Sequence, residues 1–331
     1  MKADDILVLT PQEIRRLLSL DECIAAVEQA FRLYGEGKAP APGVLSMHAA
    51  GGGFHIKAGM LDLSRKYFAA KINGNFPDNG TRFGLPTIQG VIVLSDADQG
   101  TPLAVMDSRD VTSLRTAAAT AVAAKYLSRE DSRTATVCGC GQQGRVQLKA
   151  LACVRQLRSV FAYDAFPDHA QDFARELGAE LSVNVTAVSD LAAAVRESDI
   201  CVTCTPSRQA LLGPEEVRPG TFVAAVGADS PLKQELHPQL MATAKIVCDV
   251  LEQCAVMGDL HHALTAGVLR REDVHAELGE VVAGKKRGRE SDAEIIVFDS
   301  TGMALQDVAA AAILYEKANR QGAGMRLSFS A

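Results

Sequence analysis

The sequence predicts an α/β protein in two parts: a doubly wound parallel sheet, preceded by a mixed α and β region. Three observations carry that expectation. At 331 residues the chain has room for about two domains of ordinary size. Its local pattern changes near residue 115, from short β-rich segments to alternating strands and helices. Within the alternating half, the glycine-rich turn Gly139-Cys140-Gly141-Gln142-Gln143-Gly144 stands between a strand and a helix.

The chain opens with helices over Pro11–Leu18 and Asp21–Gly35, the second introduced by Ser19 and Glu22 at capping-box spacing. Strand candidates follow at Val44–His48, Phe54–Ala58, Tyr67–Ile72, Ile88–Ser95 and Pro102–Met106, separated by turns such as AAGGG, NFPDNGTRFGLP and DADQG. With no long helices between them, these strands are expected to run mostly antiparallel. An alanine-rich helix, Ser113–Leu127 with Thr112 as N-cap, bridges to the second region. There strand TATVCG leads to helix QGRVQLKALACV, and strand RSVFAYD to helix PDHAQDFARELG. Strand VNVTAV, helix SDLAAAVRES, strands DICVTCT and TFVAAVG, helix HPQLMATA, and strands KIVCDV and EIIVFDS complete the alternation. Such alternation gives a parallel sheet covered on both faces. A last helix, Ala304–Asn319, is expected to pack back on the first region.

Bulk properties exclude several classes of function. With no Trp, 5% aromatic residues and a net charge of −6, the chain lacks the stacking platforms and positive field that nucleic acids require. The basic run Lys285, Lys286, Arg287 and Arg289 is broken by Gly288 and followed by acidic residues, as in a solvated loop. No apolar run reaches the ~18–20 residues of a membrane span, and MKADDILVLT lacks the apolar core and cleavage site of a secretory signal. A cytoplasmic protein without membrane partners is the expectation. Most of the eight cysteines lie in apolar, strand-like stretches, and Cys201 and Cys204 form a single CxxC without a second pair at zinc spacing. Buried, reduced thiols and no metal are therefore expected.

The GxGxxG turn has a physical reading as a dinucleotide site. Gly139, Gly141 and Gly144 allow a tight turn, close approach to a pyrophosphate and close helix–strand contact, while Gln142 and Gln143 open a helix whose N–H groups face the phosphates. Asp164 ends the next strand about 20 residues further on, where a carboxylate accepts a ribose 2′-hydroxyl and repels a 2′-phosphate, so NAD(H) is expected over NADP(H). Thr203 and Thr205, at the end of a later strand, either line the nicotinamide side or cap the strand.

Four further stretches narrow the chemistry. They are Lys71-Ile72-Asn73-Gly74-Asn75-Phe76-Pro77 with Gly84-Leu85-Pro86-Thr87-Ile88-Gln89-Gly90; Thr112-Ser113-Leu114-Arg115-Thr116-Ala117-Ala118-Ala119; Val226-Gly227-Ala228-Asp229-Ser230-Pro231 with Lys233-Gln234-Glu235-Leu236; and Phe298-Asp299-Ser300-Thr301-Gly302 leading into Leu305-Gln306-Asp307. In this order, with GCGQQG between the second and third, they resemble the ornithine cyclodeaminase/mu-crystallin family from about residue 20 to 325. The resemblance implies a discontinuous substrate and dimerisation domain, residues 1–115 completed by 304–331, around a Rossmann domain over 116–303. It also implies a homodimer formed through the first domain.

By the same resemblance the chemistry is hydride transfer at the α-carbon of an amino or imino acid. Lys71 matches a lysine that contacts the substrate carboxylate and moves protons, Arg115 the arginine that clamps that carboxylate, Asp229 the acid near the substrate nitrogen, and Thr116 a residue near the cofactor phosphates. The residue types suit these roles. A guanidinium fixes a carboxylate bidentately, a lysine beside an arginine loses basicity, and an aspartate stabilises an adjacent iminium. Plainer roles stand beside them: a helix salt bridge for Arg115, a solvent-facing strand residue for Lys71, a turn residue for Asp229.

The cyclodeaminase branch carries a further arginine after the second helix, where this chain reads Ala39-Pro40-Ala41-Pro42-Gly43-Val44. Lys57 is the candidate replacement, with His55 on the same strand face, and Leu232 stands where that branch has glycine. His261 and His262 diverge on a helix and receive no role. These departures favour an NAD(H)-dependent imine reductase or L-amino-acid dehydrogenase. The alternatives are a cyclodeaminase using bound NAD+ without net turnover, and a non-catalytic nucleotide-binding protein like mu-crystallin.

Overall fold

The computed structural model describes residues 5–328; residues 1–4 and 329–331, the outer ends of the two stretches assigned to the first domain, lie outside the described residues. Strand β1 (Asp5–Leu9) leads into helices α1 (Pro11–Leu17) and α2 (Leu20–Gly35). Each helix starts at a reciprocal capping box, Thr10 with Glu13 and Ser19 with Glu22, which satisfies otherwise orphaned backbone donors. Next come β2 (Gly43–Ala49), β3 (Gly52–Asp62), β4 (Lys66–Asn75), the short α3 (Asn79–Phe83), β5 (Ile88–Asp96) and β6 (Pro102–Asp107). From β2 to β6 every neighbouring pair is antiparallel, and β1 joins β6 in parallel.

Helix α4 (Ser108–Leu127) begins five residues before the expected start. The Asp107 carboxylate accepts the Arg109 N–H at 2.9 Å, so the first turn is satisfied there and Thr112 lies inside the helix instead of capping it.

The remaining elements up to residue 299 are β7 (Thr134–Cys138), α5 (Gln142–Val154), β8 (Ser159–Tyr163), α6 (Pro167–Leu181), β9 (Asn184–Ala187), α7 (Leu191–Arg196), β10 (Ile200–Thr203), β11 (Arg208–Leu212), β12 (Phe222–Ala225), β13 (Gln234–Leu236), α8 (Pro238–Thr243), β14 (Lys245–Cys248), α9 (Leu251–Met257), α10 (Asp259–Thr265), β15 (Ala276–Glu277), α11 (Leu278–Val282) and β16 (Ile296–Asp299). Eight of these strands form one parallel sheet in the order β15-β14-β16-β12-β10-β7-β8-β9. Strands β10, β12 and β16 are buried along their whole length, as expected where helices cover both faces. This is the Rossmann-type α/β sheet. The small parallel pair β11–β13, and helices α9 to α11, were not foreseen: three to seven residues are too few for a hydrophobic period to declare itself.

Helix α12 (Ala304–Gln321) and β17 (Met325–Ser328) complete the chain. Strand β17 pairs antiparallel with β1, giving a seven-stranded mixed sheet ordered β17-β1-β6-β5-β4-β3-β2. Helix α12 packs against β3, β4 and α2. Gly59 permits the close approach, because a Cβ there would sit 2.8 Å from the Leu305 side chain. The chain thus divides into two units, one running to Arg115 and resuming at Met303, the other Thr116–Gly302. The first sheet buries one face under helices. Its other face is apolar and uncovered, with Leu45, Ile56, Ile72 and Val91 in register across four strands. Among the described residues, no helix is long and apolar enough to cross a membrane.

Candidate active site

In the second unit, β7 ends at Cys138 and the chain turns through Gly139, whose φ of +102° lies in the region that favours glycine. A Cβ on Gly139 would lie 2.9 Å from the Cys204 carbonyl, and one on Gly144 would strike the Gly139 carbonyl. Gly141 is different: a Cβ there meets nothing within 4 Å, so its face is open. It is the N-cap of α5 and offers no side-chain cap, which leaves the helix N-terminus, with Gln142 and Gln143, suited to a pyrophosphate.

Beside this turn lies a cavity of about 470 Å³, whose walls include Gly139, Gly141, Asp164, Phe166, Cys204 and Thr205. The Asp164 carboxylate accepts the Cys140 N–H at 2.8 Å and the Phe166 N–H at 3.0 Å, which fixes it at the end of β8. An open glycine cradle, an uncapped helix end and an anchored acid fit an NAD-type dinucleotide. Thr203 is the buried last residue of β10. Thr205 lines the cavity, but its hydroxyl and its N–H both donate to Glu235, at 2.7 and 2.6 Å, so the strand-capping reading describes it. Thr116 lies half-buried within α4.

Behind these loops runs a chain of buried carboxylates. Glu235 also accepts the Gly227 N–H at 2.8 Å, tying the loop after β10 to the loop after β12. Asp259 accepts the N–H groups of Glu235 and Leu236, both at 2.8 Å. Asp299 accepts that of Leu260 at 2.9 Å, and Asp249 those of Val250 and Gly302 with the Ser300 and Thr301 hydroxyls. Burial, reinforced by Asp259, pushes the Glu235 carboxyl up to about 7. Burial and its acidic neighbours likewise raise Asp299.

The first unit holds a different cluster. Alternation along β4 sends Tyr67, Ala69, Lys71 and Asn73 to the face under α12. On β3 the residue opposite Lys71 is Lys57, which is also buried. Arg115, at the end of the α4 segment in this unit, is 5% exposed, and Lys71 3%. Both reach one carboxylate, Asp307 in the first turn of α12. The Lys71 ammonium donates to Asp307 Oδ1 at 2.9 Å and lies 2.8 Å from Oδ2; Arg115 Nε donates to Oδ1 at 3.1 Å. Arg115 Nη1 donates to Gln306 Oε1 at 3.0 Å. Burial, then the Arg115 and Lys57 charges, lower Lys71 to about 7 against the pull of Asp307. Burial works to raise Asp307, but Lys71 and Arg115 outweigh it and the carboxyl lies below its usual range.

Lys71, Arg115 and Lys57 thus gather in one buried cluster. His55 shares the face of Lys57, half-buried, with its Nδ1 3.1 Å from the Ser46 hydroxyl. Asp229 belongs to the other unit, on an exposed turn after β12, with Lys233 at 2.6 Å. His262 Nε2 meets the Lys233 carbonyl at 2.8 Å. All eight cysteines are free thiols, and six are buried. Sequence reasoning quoted Gln306, Asp307 and Glu235 within motifs but gave them no role; the signal available was their place in those motifs.

Comparison with known proteins adds to this geometry. The description of the ornithine cyclodeaminase/mu-crystallin family matches residues 4–322. An alanine dehydrogenase of Archaeoglobus fulgidus is 41% identical over 98% of this chain and 99% of its own. The structure of an archaeal alanine dehydrogenase dimer with bound NAD superposes with a TM-score of 0.93 at 42% identity, over 98% of this chain and 99% of that one. That of Thermococcus litoralis Delta(1)-pyrroline-2-carboxylate reductase, in complex with NADH and L-proline, gives 0.91 at 33% identity, over 97% and 100%.

Proposed function

The chain belongs to the ornithine cyclodeaminase/mu-crystallin family, and from that premise we propose that it is an NAD(H)-dependent oxidoreductase acting at the α-carbon of a 2-imino or 2-amino acid. One observation carries the reading: Lys71 and Arg115, both buried, share the carboxylate of Asp307, with the buried Lys57 opposite Lys71 on β3. A desolvated excess of positive charge is costly unless an anion completes it, and an α-carboxylate is an anion of the right kind.

In this reading Arg115 clamps the substrate carboxylate with guanidinium N–H groups, and Lys71 and Lys57 complete its neutralisation. NAD(H), when bound, supplies or takes the hydride at the α-carbon. The glycines 139, 141 and 144, with Gln142, Gln143 and Thr116, hold its phosphates, and Asp164 takes the ribose hydroxyls; Thr205 borders the cavity while capping its strand through Glu235, and the buried Thr203 stays behind it. Reduction also requires a proton at nitrogen, and Lys71, near 7, exchanges one at neutral pH. Asp229 is the second candidate for that proton.

The same reading includes a cytoplasmic homodimer. Alanine dehydrogenase, in the structure noted above, is a dimer. The apolar face of the first sheet here exposes Leu45 at 55%, Met47 at 56% and Phe54 at 44%, a surface that a second copy would cover.

The decisive experiment follows NADH absorbance with pyruvate and other 2-oxo acids plus ammonia or methylamine, and with a cyclic imino acid, and NAD+ reduction with L-alanine and L-proline. Net turnover on at least one carboxylated imine is expected. Ammonia release from ornithine with constant NADH would overturn the reading in favour of a cyclodeaminase.

A further inference from the structure

We propose that Asp307 is the positioning residue of the carboxylate-binding cluster: from α12 its one carboxylate sets the orientation of Arg115 and holds the proton on Lys71. The proposal rests on the functional reading above for its link to turnover, but its geometry stands by itself. Asp307 is 1% exposed, yet it reaches the Lys71 ammonium at 2.9 and 2.8 Å with its two oxygens and Arg115 Nε at 3.1 Å. It occupies the first turn of α12, where unpaired N–H groups and the helix dipole favour an anion. The adjacent Gln306 takes Arg115 Nη1 at 3.0 Å, so α12 holds the guanidinium at two of its nitrogens, Nε and Nη1. A planar guanidinium held at two nitrogens has its orientation fixed before any ligand arrives, which lowers the entropic cost of clamping a carboxylate.

The groups facing Lys71 are few and of known sign. Lys57 on β3 and Arg115 on α4 disfavour its proton, and Asp307 on α12 favours it. From α2 the Cys23 thiol, pushed up by burial, faces Arg115 and Asp307 and stays uncharged. On β5 the neighbour of Lys71 in register is Ile92. Asp307 is thus the anion that keeps Lys71 protonated near neutral pH. Burial and two cations acting without it would leave the amine neutral, unable to give a proton to an imine nitrogen.

The test compares Asp307→Asn and Asp307→Glu with the wild type in the imine-reducing direction. Wild-type kcat/KM should fall as pH rises past about 7, where Lys71 deprotonates. In Asp307→Asn that limb should move down by at least about one pH unit, with KM for the imino acid raised tenfold or more while NADH affinity stays within twofold. Asp307→Glu, which keeps the charge but displaces it, should leave the limb within about 0.3 unit and lower only the amplitude. Loss of amplitude in Asp307→Asn with an unmoved limb would mean a merely structural role and overturn the proposal. If Asp307→Asn does not fold, Asp307→Glu carries the test, and a limb displaced by a full unit would overturn it. The Lys71 amine is also titrated by NMR after reductive ¹³C-methylation, a readout independent of turnover. A titration that shifts in Asp307→Asn, in a protein that reduces no imine, would uphold the positioning role and sink the functional reading; an unshifted titration in a protein that does reduce an imine would overturn the positioning role and leave the functional reading standing.

Discussion

The first unit buries Lys57, Lys71 and Arg115 around Asp307, whereas the second buries Asp249, Asp259, Asp299 and Glu235 and meets them largely with backbone N–H groups. Burial is nearly complete in both places, and its consequences differ. In the second unit each carboxylate receives donors that belong to the fold, so the acids serve to tie strand-end loops together, and one of the loops so tied lines the dinucleotide cavity. In the first unit Lys71 and Arg115 share one carboxylate, that of Asp307, and the proposed reading assigns the remaining balance to the substrate. Buried charge can therefore mark a ligand site where cations share too few anions, and a scaffold where backbone donors of the fold meet most of the carboxylate oxygens.

The largest expected effect comes from breaking the uncompensated side. Arg115→Ala should lower kcat/KM for a carboxylated imine by roughly 10³-fold, about 4 kcal/mol of transition-state stabilisation, because two or more charge-assisted hydrogen bonds vanish together. NADH affinity, measured by fluorescence titration, should change less than about twofold. Unaltered steady-state kinetics would remove Arg115 from the site and leave the cluster a structural ion network.

How much of this was legible beforehand follows the same division. The dinucleotide turn could be read residue by residue because its demands are local: a positive φ at Gly139 and room for the helix at Gly144. Lys71 and Arg115 were legible as residue types within motifs. Their shared partner was not, since Asp307 lies 236 positions from Lys71 and no periodicity links a strand to a helix so distant in sequence. The sheet edge tells the same story. Strand β1 pairs with β17 across nearly the whole chain, and neither short segment shows a pattern that announces a partner. The early start of α4 was missed for a different reason: Asp107 does the capping from within the end of a strand.

The compensated side should respond in stability first. Asp249 accepts from Val250, Ser300, Thr301 and Gly302, so Asp249→Ala leaves several buried donors without a partner at once. A loss of about 2–3 kcal/mol is expected in urea unfolding, with kcat/KM of the protein still folded at low temperature within about threefold of wild type. A variant as stable as wild type but inactive would reverse the comparison, making the acidic chain part of the chemistry.

The finest test uses pH, because the two clusters should push stability in opposite directions. The folded protein holds Glu235 up to about 7 against an ordinary 4.5, so between those values the folded chain binds protons that the unfolded chain has released. The group's favourable contribution is therefore complete below about pH 4.5 and is lost as pH rises through 7. Asp307 runs the other way: with its folded value below the usual range, its contribution is present at neutral pH and lost as pH falls. Replacing Glu235 by Gln should cost stability at every pH, since the amide cannot accept from both Thr205 and Gly227, yet the cost should shrink by about 1–3 kcal/mol between pH 5 and pH 8. Asp307→Asn should show the inverse, a cost that grows over the acid range in which the wild-type carboxylate ionises. Parallel stability curves for Glu235→Gln and wild type would mean that Glu235 gains no proton on folding, and the contrast between a proton-holding scaffold and an ionised site would fail at a fully buried acid.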